Sequence, residues 1–320
     1  MRPLEVLLTG ATGFVGSEVL RTVQREHTDR RGRRMNVRAL SRTAPPGGAD
    51  TPGVSWVPGD LSDPASLRGT ARGADVLVHL ASRVSGGQEA CEAVNVHGTR
   101  ALLEEARRAG VPRIVHLSTA AVYGPGPHRG IAVDGVRPAP VSPASVTRLA
   151  GERLALEAGA VVLRPGLVLG AGDRWVVPAL AELRSRVPAH WDGGSGMLSV
   201  VDVADLARLI VTLAGATTPA GPAVHHASHP VPVSNRDLMA ALTERGLLDP
   251  VTADWSWENC LRRLREVPGT MSERQFSLLA RDHWYRSEEI WRITGCPAGP
   301  GPLARLAESA SWYRVHLAAG

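Results

Sequence analysis

Three glycines near the start of the sequence have the spacing of a phosphate-binding turn. Gly10, Gly13 and Gly16 lie in the segment TGATGFVG, between the apolar run Leu4–Thr9 and a stretch with apolar residues at helical spacing. Glycines in this pattern permit a tight turn, close approach of the backbone to a pyrophosphate, and close packing of helix on strand. The phosphates would lie on free N–H groups at the helix N-terminus. The segment therefore predicts a dinucleotide site.

The end of the second apolar run indicates which dinucleotide the site prefers. It reads ALSRT, with Ser41 and Arg42 and without a nearby acid. A carboxylate at this point accepts hydrogen bonds from the ribose hydroxyls of NAD, whereas an arginine suits the 2′-phosphate of NADP. A surface arginine in an arginine-rich chain is the simpler alternative. Because the acid is missing and the base is present, the sequence favours NADP(H).

The elements that must position these residues alternate between short apolar runs and helical stretches. Strands are predicted at residues 4–9, 36–41, 54–58, 75–81, 113–119 and 160–166, with helices near 87–109 and 143–158. Repeated strand–helix–strand units imply a parallel sheet that is covered on both faces. The predicted fold class is therefore α/β, a doubly wound parallel sheet of the Rossmann type.

After residue 166 this rhythm changes. Helical patterns at 173–187, 202–214 and 234–246 are interrupted by short extended pieces such as AVHHAS, and the last seventy residues look mostly helical. We therefore expect an NADP-binding domain at residues 1–166, with a return segment at about 198–230. Residues 167–197 and 231–320 would form a smaller, mostly helical substrate-binding lobe.

The composition excludes several classes of protein. The hydrophobic fraction is 43% and the charged fraction is 21%, and no apolar run reaches the roughly 20 residues of a membrane span. The start MRPLEVLLTG is too short and too soon broken by glycine to act as a secretory leader. Cys91, Cys260 and Cys296 lie far apart without a CxxC pair, which indicates reduced thiols. We expect a cytoplasmic protein, monomeric or homodimeric, with no membrane partner.

The net charge of +5 is carried by arginine, since the chain has no lysine. Such usage is typical of a GC-rich genome, so the charge does not indicate a nucleic-acid partner. One basic cluster runs from Arg25 to Arg38. It either attracts a phosphate-rich ligand or forms a solvated loop between a helix and a strand.

The assembled motifs resemble those of the extended and atypical short-chain dehydrogenase/reductases. TGATGFVG is similar to their nucleotide loop, GDLSD to the turn after the third strand, and HLAS to the segment beside the cofactor ribose. NVHGTRALLEEA with Asn95, VHLSTAAVYG, LRPGLVLG and VVDVADLA extend the resemblance over residues 4 to about 214. The resemblance implies the following cofactor-binding residues: Gly10, Thr12, Gly13, Phe14, Val15, Gly16, Ser41, Arg42, Asp60, Leu61, Leu80, Ala81, Ser82, Arg148, Pro165 and Gly166.

The catalytic motif departs from this family. Its members carry a Ser or Thr at the fifth strand, here Thr119 with Ser118 adjacent, and a proton-donating Tyr followed four residues later by Lys. The segment SPASVTRLAGE keeps Ser142-Pro143 and Glu152 in register but has Ala144 and Arg148 at those two positions. Arg148 can still hydrogen-bond a ribose but cannot supply a proton at neutral pH.

Loss of the tyrosine does not exclude reduction. A general acid contributes typically ~10²–10⁴-fold, whereas placing the reactants against each other can contribute ~7–11 kcal/mol. Polyketide ketoreductases without the catalytic triad are known as a type. The resemblance therefore implies an NADPH-dependent ketoreductase for an aromatic polyketide. In it Thr119 and Ser118 would polarise the carbonyl, and the substrate's own hydroxyl would supply the proton. The alternative is an NADP-binding redox sensor without turnover.

Other residues have simpler interpretations. His225 and His226 are adjacent on a predicted strand and would point to opposite faces, so we expect no metal there, even with His229 nearby. Tyr123 is a candidate acid, although a structural role at the strand end is favoured. About a third of six tryptophans would line a pocket, and the others would lie in the core. These are Trp175, Trp191, Trp255, Trp257, Trp284 and Trp291.

Overall fold

The computed structural model describes residues 2–26, 32–43, 52–216 and 221–318. The strands are β1 (Leu4–Thr9), β2 (Met35–Ser41), β3 (Val54–Pro58), β4 (Val76–His79), β5 (Ile114–Leu117), β6 (His128–Ile131), β7 (Val161–Arg164), β8 (Leu167–Leu169), β9 (His190–Trp191), β10 (Met197–Leu198), β11 (Val200–Asp202), β12 (Ala223–His226), β13 (Val233–Ser234), β14 (Asp254–Trp255) and β15 (His283–Tyr285). Part of the basic cluster, residues 27–31, lies outside the described residues.

The helices are α1 (Phe14–Glu26), α2 (Gln88–Glu92), α3 (Thr99–Arg108), α4 (Pro143–Glu157), α5 (Val176–Arg186), α6 (Val203–Gly215), α7 (Asn235–Glu244), α8 (Trp257–Glu266), α9 (Glu273–Ala280), α10 (Glu288–Thr294) and α11 (Pro302–Ala318). Short 3₁₀ turns lie at Pro64–Leu67, Ala120–Tyr123 and Asp192–Gly194, and Ala93–Gly98 is π-helical.

The first core is built on a seven-stranded sheet in the order β12-β7-β5-β4-β1-β2-β3. Every pairing in this sheet is parallel, so each strand is followed by a crossover. Strands β4, β5 and β7 are buried along their whole length, as expected for a sheet that is covered on both faces. The predicted α/β fold with a Rossmann-type parallel sheet is confirmed.

Successive residues of β1 enter two different cores. Val6 and Leu8 pack in the cluster that includes α1 and α6, whereas Leu7 packs on the opposite face with residues of α3 and α4. This alternation follows from the two-residue period of a strand.

The direction in which successive strands are added to the sheet reverses between β1 and β4. The crossover after β1 leads outward to β2, and the one after β4 leads to β5 on the other side. The carboxyl ends of β1 and β4 therefore flank the crevice where such sheets bind ligands.

A second core lies in the C-terminal half of the chain. It buries side chains of α5, α7, α8, α9 and α11, with Trp191 fully enclosed against Phe276. A four-stranded sheet of order β13-β10-β15-β6 joins three strands of this half to β6 of the N-terminal half. None of the helices in the described parts of the chain is long and apolar enough to cross a membrane.

The helix expected over residues 87–109 differs from a continuous α-helix. Its middle, Ala93–Gly98, is π-helical, between α2 and α3. Two glycines permit close packing there. A Cβ on Gly98 would lie 2.3 Å from the carbonyl oxygen of Leu61, and a Cβ on Gly151 of α4 would lie 2.3 Å from that of Asn95. The π-helical stretch and its flanks therefore pack closely against both the turn after β3 and helix α4.

Candidate functional site

The turn between β1 and α1 has the shape of a phosphate cradle. Gly10 has a φ of +74°, and a Cβ there would lie 2.7 Å from the backbone nitrogen of Ala81. A Cβ on Gly16 would lie 2.0 Å from the carbonyl oxygen of Gly10. Thr12 and Gly13 are exposed just before α1 begins, while the Gly13 N–H donates to the carbonyl of Gly10 at 2.9 Å and closes the turn. These residues fit the pyrophosphate of a dinucleotide.

A buried hydrogen-bond chain joins the ends of β1 and β4 at this turn. The Nδ1 atom of His79 lies 2.7 Å from the hydroxyl of Thr9, and its Nε2 atom lies 2.9 Å from the hydroxyl of Thr99. Burial lowers the pKa of His79 to about 4, so the ring is neutral and one nitrogen donates while the other accepts. The backbone N–H of Ala81 donates to the same Thr9 hydroxyl at 3.2 Å. These hydrogen bonds hold Leu80 and Ala81 beside Gly10.

Sequence reasoning missed this positioning role of His79, Thr9 and Thr99. The available signal was a polar residue within the apolar run DVLVHLA. Most buried polar side-chain atoms are hydrogen-bonded, so this histidine calls for partners elsewhere in the chain. Partners at positions 9 and 99, however, become apparent only once the strand order is known.

The predicted adenosine end lies where β2 and β3 end. Arg42 is exposed, and the Ser41 hydroxyl donates to the carbonyl of Thr43 at 2.7 Å. The Asp60 carboxylate accepts from the backbone N–H and the hydroxyl of Ser62, at 2.8 Å and 2.7 Å. Burial raises the pKa of Asp60, but these hydrogen bonds and the positive charge of Arg42 outweigh burial and hold that pKa below its usual value. Asp60 is therefore ionised within the field of Arg42.

The two hydroxyl residues at the end of β5 have different environments. Ser118 is fully buried, and its hydroxyl donates to the Glu152 carboxylate at 2.5 Å. Thr119 is half-buried and accepts a hydrogen bond from the backbone N–H of Ala121 at 3.1 Å, which caps the turn Ala120–Tyr123. Among the described residues no group accepts a hydrogen bond from the Thr119 hydroxyl. The proposed role of Ser118 in polarising a carbonyl does not fit this placement, because its hydroxyl is already bound inside the core.

Helix α4 presents the two departures from the family motif. It begins with a reciprocal capping box between Ser142 and Ser145, which fixes the register of Ala144 and Arg148 one turn apart on the same face. The guanidinium of Arg148 donates to the carbonyl oxygen of Ser118 at 2.8 Å, and its Nε is buried without a hydrogen-bond partner. Burial lowers the pKa of Arg148 to about 10, so the group stays cationic at neutral pH. A positive charge therefore lies next to the residue that precedes Thr119.

A buried polar network lies behind these residues. Glu152 pairs with Arg164, whose Nη1 donates to the hydroxyl of Tyr123 at 2.7 Å. That hydroxyl also lies 2.7 Å from Nε2 of His226 and donates to the carbonyl of Val133 at 3.0 Å. Burial raises the pKa of Tyr123, whose ring is only 2% exposed. Tyr123 therefore holds β5, β7 and β12 together rather than facing a ligand.

The predicted nicotinamide end is formed after β7. The carbonyl of Pro165 accepts from the backbone N–H of Ala120 at 2.8 Å, and the N–H of Gly166 donates to the Ser228 hydroxyl at 2.9 Å. A Cβ on Gly166 would lie 2.3 Å from the carbonyl oxygen of Ser199, so only glycine fits. The segment is thereby fixed beside Thr119.

The loop that follows β4 is tied to α4 by one amide. The side chain of Asn95 accepts from the backbone N–H of Arg83 at 2.7 Å and donates to its carbonyl. It also donates to the hydroxyl of Thr147 at 2.9 Å. Ser82, half-buried, therefore lies on a segment that is held against the helix of Ala144 and Arg148.

A separate cleft of about 780 Å³ lies beside edge strand β12, lined by residues 132–135, 223–226, 286, 288–290 and 292. It includes none of the predicted site residues. His225 faces this cleft with its Nδ1 3.3 Å from the Glu289 carboxylate. Among the described residues no group of three His, Cys, Asp or Glu side chains is arranged to hold a metal ion.

Together these residues can bind a dinucleotide and hold a carbonyl compound beside it. Thr119 offers a hydroxyl and Arg148 a fixed positive charge, while Ala144 offers no acidic proton. An alcohol is a poor net acid at neutral pH, and so is a guanidinium. These residues can therefore polarise a carbonyl, but none of Thr119, Arg148 and Ala144 is a ready proton donor.

Comparison with known proteins finds a matching family and several similar proteins. The family described as NAD dependent epimerase/dehydratase matches residues 6–224. The 2-alkyl-3-oxoalkanoate reductase of Stenotrophomonas maltophilia is 29% identical over 321 residues, covering 91% of this chain and 94% of that protein. A ketoreductase of Stigmatella aurantiaca that is named for 4-hydroxy-2-methyl-3-oxo-4-farnesyl-3,4-dihydroquinoline-1-oxide is 30% identical over 253 residues, covering 75% and 73%. The structure of MoeE5 in complex with UDP-glucuronic acid and NAD aligns with a TM-score of 0.71 at 25% identity, covering 98% of this chain and 99% of that one.

Proposed function

Because the chain belongs to the NAD dependent epimerase/dehydratase family, we propose that it is an NADPH-dependent ketoreductase that acts on an aromatic polyketide. The chain is an enzyme of the NAD(P)-dependent reductase or dehydrogenase type. The substrate we propose is an angucyclinone-type ketone of an antibiotic pathway. The sequence resembles in particular the angucyclinone ketoreductase of simocyclinone biosynthesis.

The observation that carries this proposal is the replacement of the family's proton donor by Ala144 while the rest of the site is kept. The phosphate cradle, the Thr119 hydroxyl and a cation at position 148 are all present. Epimerases and dehydratases of this family rely on the missing tyrosine, so the departure favours simple carbonyl reduction. Two relatives with reductase names are consistent with that choice.

The residues divide the chemistry among them. A reduced nicotinamide supplies the hydride when it is bound. Thr119 donates a hydrogen bond to the ketone oxygen and so orients the carbonyl. Arg148 places its positive charge beside that oxygen and remains available to the nicotinamide ribose. Pro165 and Gly166 restrict the position of the ring.

The proton comes from the substrate in this account. Reduction turns the carbonyl into an alkoxide, which must take up one proton. A phenol beside the carbonyl has a pKa near ~10, the same as a tyrosine side chain. The phenol gives its proton to the alkoxide, and solvent later protonates the phenolate. Such a substrate makes a catalytic tyrosine unnecessary.

Turnover itself tests the proposed function. NADPH oxidation is followed by absorbance with a panel of hydroxylated aromatic polyketone substrates, and the alcohol product is identified. The proposal requires reduction of at least one of them. A redox sensor, which the missing tyrosine also permits, would bind NADPH and leave all of them unchanged.

Cofactor preference gives a prediction for Arg42. We expect Arg42→Ala to weaken NADPH binding roughly 10- to 100-fold, because a hydrogen bond to a charged group contributes about 1.5–3 kcal/mol. NADH lacks the 2′-phosphate and should lose much less. Titration of both cofactors measures the effect, with Arg100→Ala as a control that removes an exposed arginine from α3. Equal losses for NADPH and NADH would refute the assignment of Arg42 to the 2′-phosphate.

A second prediction concerns Thr119. We expect Thr119→Val to lower kcat by up to about a hundredfold, because the carbonyl loses its hydrogen-bond donor. Activity should persist, since the proton comes from the substrate. Thr119→Ser keeps the hydroxyl and should stay close to wild type. Loss of all turnover in Thr119→Val, with NADPH binding intact, would make Thr119 itself the acid.

A further inference from the structure

One tryptophan differs from the other five that could line a substrate pocket. Trp191 and Trp291 are buried, and their indole N–H groups donate to the carbonyls of Val187 and Ser228. Trp255, Trp257 and Trp284 are partly buried. Trp175 is 43% exposed. Among the described residues its ring contacts no other aromatic side chain.

The segment that carries Trp175 is rigidly held. The Asp173 carboxylate accepts from the backbone N–H groups of Trp175, Val176 and Val177, at 2.8 Å, 2.8 Å and 3.0 Å. The Tyr313 hydroxyl donates to the same carboxylate at 3.0 Å and accepts from the N–H of Gly170 at 2.8 Å. An exposed indole on so constrained a backbone loses little conformational freedom when a ligand covers it.

The same segment lies against the cofactor turn. It follows β8, which begins directly after Gly166. A Cβ on Gly172 would lie only 2.9 Å from the ring of Phe14, the first residue of α1. The chain between Gly166 and Trp175 therefore runs from the nicotinamide end of the site to the phosphate cradle. Trp175 follows Gly172 by three residues, so it lies on the segment that contacts the cofactor turn.

We infer that Trp175 is a specificity-determining residue that stacks on the fused aromatic rings of the substrate. This inference rests on the proposed function and adds the mode of recognition. A flat, hydroxylated polyketide offers a large π surface with few charges, and an indole face is suited to offset stacking on it. Stacking covers the exposed ring of Trp175 and holds the substrate ketone beside Thr119. Trp175 takes no part in the chemical step.

The test compares Trp175→Ala with Trp175→Phe. Binding of 1,8-dihydroxyanthraquinone to the NADP⁺-loaded enzyme is measured by calorimetry, and KM and kcat are measured for the best aromatic ketone. We expect about tenfold weaker binding and a similar rise in KM for Trp175→Ala, with kcat little changed. Trp175→Phe keeps a ring and should restore most of both. Ile293→Ala, at an apolar residue 48% exposed on α10, is the matched control and should behave as wild type.

The outcomes separate the two proposals. Failure of the wild-type enzyme to bind the anthraquinone and to reduce any aromatic ketone would overturn the proposed function, and this inference with it. If the wild-type enzyme reduces aromatic ketones and Trp175→Ala keeps wild-type affinity and KM, only the role of Trp175 is overturned. The same holds if Trp175→Phe is as impaired as Trp175→Ala. NADP⁺ affinity and melting temperature, measured on every variant, should not change.

Discussion

Gly16→Ala is expected to weaken binding of NADPH roughly 10- to 100-fold, since each hydrogen bond lost to a charged phosphate costs about 1.5–3 kcal/mol. The added methyl group would lie 2.0 Å from the carbonyl oxygen of Gly10 and 2.6 Å from its carbonyl carbon. Both are backbone atoms, so the turn itself must move. That movement withdraws the N–H groups of the cradle from the pyrophosphate. Titration with NADPH, followed by fluorescence of the reduced nicotinamide, measures the loss.

Gly87→Ala is the control for this substitution. Gly87 has a φ of −71°, and an added Cβ there meets nothing within 4 Å. The same methyl group should therefore leave NADPH binding unchanged. Overpacking of a close contact costs about 1–3 kcal/mol, so the melting temperature of Gly16→Ala should also fall. Wild-type cofactor affinity in Gly16→Ala would show that Gly16 does not shape the cofactor turn.

The sheet could be predicted because its strands are buried on both faces. Runs such as DVLVHLA and RIVHLST are apolar and short, and the strands β4 and β5 lie inside them. Strand β6 and strand β15 could not be predicted, because they pair residues 128–131 with residues 283–285. Each is too short to produce a periodic pattern. Their pairing depends on how the two halves of the chain pack.

The sequence predicts the role of a site residue well where that role depends on the residue's own backbone. It predicts the role less well where a distant side chain orients the residue. The glycines of the phosphate cradle can be identified from their spacing in the sequence. By contrast, the orientation of Ser118 depends on Glu152, which lies 34 residues further along the chain. The sequence identifies Ser118 and Thr119 as candidates. It does not indicate that the Ser118 hydroxyl is bound inside the core while Thr119 is half-buried. The roles of Ser118 and Thr119 therefore separate only in the folded chain.

Methylation of the substrate phenol is expected to have the largest effect on the reaction, because Ala144 stands where the family has its proton-donating tyrosine. A general acid contributes typically ~10²–10⁴-fold, or about 3–5.5 kcal/mol. If the phenol beside the ketone is that acid, its methyl ether should be reduced slower by a factor of this order. The ether keeps the aromatic surface and the carbonyl. Its binding should therefore be close to that of the parent compound.

The most direct test of the account is the rate of NADPH oxidation with a phenolic substrate and with its methyl ether, at saturating concentrations and with both dissociation constants measured. We predict that the ether binds and that its kcat falls by about a hundredfold or more. Reduction of the bound ether at the parent rate would show that the proton comes from the protein or from water, and would contradict the substrate-assisted mechanism.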